Sequence, residues 1–452
     1  MGREYFDAMD KVCATGDWKA RTLAALEEEP TARPRRRPTA QGVLVAAAVC
    51  AALLATAVAV SPGLREALAD TLGSFAPYSA PVTGVSATDQ GIEIRAVSAI
   101  SDGSVVRVFL EVQDKTGDRL DGATELDVGR MHRPEAQYAA TGYGAGACLS
   151  YDAKTHTALF PLDFRGRGAP ASGGYMEVEV EGLQPGVQRG ILQFPKLELS
   201  AAALPARTLA TGEVVLEPGQ TAMALEGTDL VSLSSCGFGP DGMLHIQFRV
   251  PEGTNWEDLW LDPFIDSKSD EQERLTRYNS SRTGFLTTHF EEGGKSYWDV
   301  RYPATPADLD DLAIREAMDY AVTTHEPIEG EWKLAIPLED VPFRQIAADQ
   351  KVGSVVVKSI RLSTLGIATE SDPEGGPETL VYPAAVFLAD GSTVSAGGSD
   401  GAFHTNSYTA NHWTFDEPVD PEQVVGVAFG YWYIPLQGDQ AGPGRWLAEL
   451  PE

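Results

Sequence analysis

The side chains able to do chemistry in this sequence are seven histidines, four cysteines and a large surplus of carboxylates. A metal centre needs histidines or cysteines at short, fixed spacing, because the ligands must converge on one ion. His132, His156, His245, His289, His325, His404 and His412 form no H-E-x-x-H and share no helical face. Cys13, Cys50, Cys148 and Cys236 form no C-x-x-C. The sequence also lacks a G-x-S-x-G elbow, a P-loop and a dinucleotide fingerprint. These patterns point away from an enzyme, a bound metal and a cofactor. "DSKSDEQE" at 266–273 lacks the central glycine and ligand spacing of a calcium loop, so it reads as a solvated turn. Trp413, Tyr431, Trp432 and Tyr433 offer either a sugar-stacking platform or a partner hot spot. Alternation in "VVGVAFGYWYIPL" puts Tyr431 and Tyr433 on one face and Trp432 on the other, which favours packing.

Function must therefore come from how the chain is arranged. Gly42 to Val60 is a run of 19 residues without a charge, long enough at about 1.5 Å per residue to span a hydrocarbon core of about 30 Å. Arg33, Arg35, Arg36 and Arg37 lie immediately before it, and Arg65 is the one basic residue in the 20 that follow. The positive-inside rule then predicts a single-pass protein of the cell membrane, with its N-terminus cytoplasmic and its C-terminal bulk outside. Ala57-Val58-Ala59 also satisfies an A-x-A cleavage site, so a cleaved export signal is the competing reading.

Before the run, Tyr5, Phe6, Met9, Val12 and Cys13 form one apolar helical stripe, and Trp18, Leu23 and Leu26 form a second. Two such helices cannot bury a core alone, so Tyr5, Phe6, Met9, Trp18, Leu23 and Leu26 are candidate partner-binding residues. After the run, residues 61–452 hold 58 acidic against 27 basic side chains. That surface repels phosphate backbones, which argues against direct nucleic-acid binding. Cys148 and Cys236 are the two cysteines beyond the run and the candidates for a disulfide; two separately buried thiols are the alternative.

"SPGLREALADTLGSF" predicts a short Pro-initiated helix leading into a stalk. From there period-two alternation and Gly, Pro, Asp and Asn punctuation predict antiparallel β structure. The exception is 305–321, which reads as a helix capped by Thr305 with Pro306 at its first position. A repeat is visible: "IRAVSAISDGSVVRVFLEV" from Ile94 matches "VSLSSCGFGPDGMLHIQFRV" from Val231, and "IRLSTLGI" at 360–367 is an incomplete third copy. Val106, Val108, Leu110 and Val112 correspond to Leu244, Ile246, Phe248 and Val250 on the buried face. The expected fold is mainly β, with tandem antiparallel Ig-like β-sandwich modules outside the membrane, one transmembrane helix and a short N-terminal helical cytoplasmic segment. The expected divisions are a tail at 1–41, the span at 42–60, a juxtamembrane helix and stalk at 61–81, and β modules at 82–203, 204–345 and 346–452.

This order resembles the membrane-anchored bacterial proteins that carry domain of unknown function 4179, many of which are regarded as anti-sigma factors. The resemblance is carried by "DWKARTLAAL" at 17–26, by the run followed by "SPGLREALADTLGSF", by 84–112, and by "FLADGSTV" with "WTFDEPVDPEQVVGVAFG" at 387–430. The His-Cys-Cys zinc pattern of many other anti-sigma factors is absent, Cys13 standing alone. The resemblance implies a two-compartment regulator. Its tail would hold a sigma factor, its external modules would sense an envelope ligand or protein, and release would follow cutting at an exposed 61–81 stalk or a conformational change. The rival reading is a surface-anchored structural or ligand-binding protein with an inert tail.

Overall fold

The computed structural model describes residues 62–447, apart from 135–141, 166–173, 195, 253–259, 262–264, 268–285, 315–316, 354, 373–383, 398–402 and 406–407. The candidate tail residues Tyr5, Phe6, Met9, Trp18, Leu23 and Leu26, the four arginines and the 42–60 run lie outside the described residues. Among the described residues no helix is long and apolar enough to cross a membrane. Among the described residues the protein is mainly β, 58% strand against 8% helix.

Alternation becomes strand pairing at all three repeat copies. Ile92–Ser101 pairs antiparallel with Val105–Asp114, Ser232–Phe238 with Leu244–Val250, and Val355–Ser363 with Gly366–Asp372. Val106, Val108, Leu110 and Val112 are buried, and so are Leu244, Ile246, Phe248 and Val250. Each first strand carries one extra residue, between Ala96 and Ser98, Leu233 and Ser235, and Val357 and Ser359. A bulge at this point bends the strand and shifts which face its later side chains occupy.

Three large cores follow from these hairpins. The first lies between a seven-stranded sheet, built on Ile92–Ser101, Val105–Asp114 and Thr157–Arg165, and a three-stranded sheet of Ile328–Pro337, Tyr175–Gln184 and Glu125–His132. The second gathers Leu233, Ile246 and Phe248 with Leu192, Tyr320 and Val322. The third is enclosed by an eleven-stranded sheet whose two halves bring Ile360, Leu362 and Trp413 against Val386, Val427 and Ile434.

The cores do not follow one another along the chain as the ranges 82–203 and 204–345 would have them. Tyr175–Gln184 pairs with Ile328–Pro337 inside the first core. Two residues later Val187–Gln193 pairs with Ala317–Thr323 inside the second. The second core is thus an insertion between adjacent strands of the first, entered along Val187–Gln193 and left along its partner Ala317–Thr323. Gly186, at the crossing, has φ +67°, and a Cβ there would lie 2.1 Å from His325 Nδ1. The buried Trp332, Leu334 and Ile336 explain the placement, because they complete the apolar face opposite Ile94, Val108 and Phe160.

Two further expectations meet their physical limits. At 305–321, Thr305 does cap a turn, its N–H and hydroxyl bonded to Asp308 at 2.9 and 2.8 Å, but the turn is only the 3-10 segment Pro306–Asp308. Ala317–Thr323 becomes a strand because a seven-residue ladder with Val187–Gln193 outweighs local helix preference. At 61–81 the helix is present as Pro62–Leu72, followed by the 3-10 segment Gly73–Tyr78. It is no exposed stalk. Leu64, Leu68 and Leu72, four residues apart, bury one stripe against Phe109 and Leu159 on the outer face of the first sheet.

Candidate functional site

The densest buried polar chemistry lies where the first hairpin turn meets the third β region. Asp102 directly precedes the turn glycine, and its Oδ1 accepts from the backbone N–H groups of Ser104 and Val105 at 2.8 and 2.7 Å. Its Oδ2 accepts the Ser363 hydroxyl at 2.5 Å, joining hairpins 261 positions apart. Asp340 accepts the Ser101 hydroxyl, and the Val341 N–H donates to the Ser101 carbonyl at 2.6 Å. Arg133 donates to the Gly103 carbonyl at 3.2 Å and stands 3.7 Å from Asp340. Arg361 completes the set, donating to the Ser104 hydroxyl at 3.5 Å with its guanidinium 3.7 Å above the Phe343 ring. Burial lowers the Arg361 pKa, opposed by the charges of Asp102 and Asp340.

His412 lies in the same buried surroundings, and among the described residues neither ring nitrogen has a hydrogen-bond partner. Burial pushes its pKa down to about 4; the charge of Asp102 opposes the shift and the positive charges of Arg165 and Arg361 reinforce it. The imidazole is therefore neutral at ordinary pH. Ile100, Val341 and Leu365, with Phe75 against them, seal the apolar side of this junction.

Beside that seal opens a groove of about 480 Å³. The end of the Pro62–Leu72 helix, the outer face of the first sheet and the Leu365 and Phe415 turns of the third region line it. Arg107 and Asp163 form a two-point ion pair on its wall, at 2.6 and 2.8 Å, which raises the Arg107 pKa through the hydrogen bonds to Asp163. The groove touches the helix and both β regions, so its contents and the packing of the helix are mechanically linked.

A second polar cluster is differently built. His245 Nδ1 lies 2.7 Å from Asp299 and Nε2 lies 3.1 Å from Asp241. Asp299 Oδ2 also accepts the Leu216 N–H and the Gln247 amide, each at 3.1 Å. Burial works against a charged His245, but the hydrogen bonds and charges of Asp299 and Asp241 outweigh it and leave the pKa raised. An imidazole so enclosed meets no substrate; it pins strand Leu244–Val250 to Lys295–Tyr302.

The candidate disulfide partners lie apart. Cys148 packs against the first core and Cys236 against the second, both as free thiols. Burial raises both thiol pKa values, that of Cys236 to about 12, so neither has thiolate character. Of the four aromatic candidates, Trp413 and Tyr433 are buried, Trp432 is half-buried against Trp446, and Tyr431 is 78% exposed. Tyr431 and Tyr433 thus do not share an environment, because Tyr431 belongs to the turn and the strand begins at Trp432. Asp102, Arg133, Asp340, Arg361 and the Arg107–Asp163 pair were not singled out by motif. Arg107, Asp163 and Arg361 are charged side chains inside strands, as in "VVVKSIRLS", whereas Asp102, Arg133 and Asp340 lie outside the strands and only Asp102 carried a local signal, its Asp-Gly turn.

No family model matches this chain, and no curated protein does. Among solved structures it is similar to "The crystal structure of the conserved domain protein from Bacillus anthracis". The identity is 7%, 79% of this chain and 77% of that chain are covered, and the TM-score is 0.33.

Proposed function

We propose that this protein is a single-pass membrane regulator of the anti-sigma-factor type, with a cytoplasmic tail that binds a sigma factor and external Ig-like β-sandwich modules that sense a ligand or protein. The observation that carries the reading is the order of parts: two apolar-striped segments, an arginine cluster, a 19-residue uncharged run and an acidic β body. A tail with stripes and no core of its own needs a partner in its own compartment. The docked Pro62–Leu72 helix adds to it, since it starts two residues beyond the run and ends at a groove that touches two β regions. A change in the groove would reach the membrane side through that helix, the first described element after the run. The reading needs no catalysis, cofactor or nucleic-acid contact.

The test is capture of the host's sigma factors by the full chain in lipid nanodiscs. One sigma factor is expected to be retained and to be lost when Trp18→Ala weakens the tail stripe. No enrichment, or equal enrichment by the Trp18→Ala variant, would sink the regulator. One observation favours the surface-anchored alternative: Tyr431 and Trp446 are 78% and 55% exposed. Large exposed rings of this kind suit a binding surface on the external body.

A further inference from the structure

The groove beside the Pro62–Leu72 helix has the size of a small-molecule site, and its surfaces select a chemistry. Its floor is apolar, made by Leu72, Phe75, Ile100, Phe109 and Leu365. Two arginines line its wall, Arg107, whose charge is cancelled by Asp163, and Arg165, against three aspartates, Asp70, Asp163 and Asp416. Asp70, from the helix, and Asp416, just past strand Tyr408–Thr414, are both exposed, and among the described residues neither has an ion-pair or hydrogen-bond partner. An apolar floor with two uncommitted carboxylates on separate elements suits a ligand that is apolar at one end and cationic at the other. The acidic excess of residues 61–452 would also concentrate cations near the opening.

We propose that this groove binds a small organic cation, an amine or guanidine carried on an aromatic or short aliphatic body. Such a ligand places its body on Phe75 and Leu365 and its charge between Asp70 and Asp416, fastening the helix to both β regions. As the signal received by a membrane regulator the idea rests on the preceding proposal; as a binding site it stands on the groove.

The probe is 2-phenylethylamine, with 2-phenylethanol and 3-phenylpropionate as neutral and anionic counterparts of the same body. Binding to the full chain in nanodiscs is read by ligand-observed NMR, with empty nanodiscs as the blank. The amine should bind saturably and about tenfold tighter than the alcohol, the combined effect of two partly exposed ion pairs. The acid should not bind. Asp70→Asn with Asp416→Asn should erase the tenfold preference without lowering Tm, since both side chains are exposed, and Ser74→Trp should fill the groove and abolish binding. Equal binding of the three probes, tighter binding of the acid, no saturable binding, or an unchanged preference in the double variant would overturn the proposal. Sigma-factor capture is scored on the same sample: capture without amine binding removes the groove proposal alone, and amine binding without capture removes the regulator alone.

Discussion

Asp102 and Asp241 occupy the same place in two copies of one hairpin, each directly before a turn glycine of positive φ, +86° at Gly103 and +80° at Gly242. Each carboxylate accepts from the N–H two residues on, Ser104 at 2.8 Å and Met243 at 3.2 Å. Beyond that they part. The third β region closes over Asp102 and supplies Ser363 and Arg361, whereas Asp241 stays at the surface and turns back to His245. The turn is set by chemistry within four residues. Whether it becomes a buried junction is decided by a segment more than two hundred residues away.

That contrast can be broken most directly by removing each carboxylate. Asp102→Ala takes one carboxylate away from the buried Arg361 and Arg133, leaving Asp340 and the charge of Glu370, and should cost about 3–5 kcal/mol in urea unfolding of the full chain. Asp241→Ala should cost about 1 kcal/mol or less, its side chain being partly solvated. Equal losses would mean that the junction is no more than a second surface turn. Glycine replacement sharpens the comparison. Gly103→Ala and Gly242→Ala share a left-handed strain of about 1–2 kcal/mol. Only at Gly103 would the new Cβ also press on Arg361 Nη1, at 3.0 Å, while at Gly242 nothing lies within 4 Å. Gly103→Ala should therefore be the more destabilising by about 1 kcal/mol in the same measurement.

The smallest effects come from the two buried histidines and run in opposite directions with pH. The His245 pKa is raised, so its contribution is complete below its ordinary value near 6.5 and is lost as pH climbs through the raised one. The His412 pKa is lowered to about 4, so its neutral form supports the fold above about 6.5 and that support is lost as pH falls toward 4. Tm measured from pH 4 to 9 should bend at both ends. His412→Gln should flatten the acid limb and His245→Gln the alkaline one; a single substitution that flattened both would show that the clusters act as one.

The hairpins were legible because period two and an Asp-Gly turn are local signals, and each extra residue shows as a break in the alternation. Core membership was less legible. Trp332, Leu334 and Ile336 alternate correctly, but alternation does not say which sheet they will face. The helix pattern at 305–321 lost to a ladder whose other strand lies at 187–193. The 62–72 helix could be read but its docking could not, although one residue marked it: Phe109 breaks the Val106, Val108, Leu110, Val112 series with a ring on the outer face, and it is fully buried there. Of the junction, Asp102 was visible as turn chemistry. Arg133, Asp340 and Arg361 were not, because a charge beside a strand end, or between Ile360 and Leu362, reads as solvated until a second surface covers it.

The crossing at Gly186 also sets a timetable. The Trp332 indole N–H donates to the Ile92 carbonyl at 3.0 Å across 240 residues of chain. A polypeptide delivered N-terminus first therefore presents Ile94, Val108 and Phe160 long before the last of the three strands that cover them exists. The inserted region, 187–323, has all its own strands in hand earlier and can close while its host waits. In the interval the first core lacks one strand of its facing sheet and is open to other chains and to premature pairing, and that interval ends only when residues 328–337 arrive.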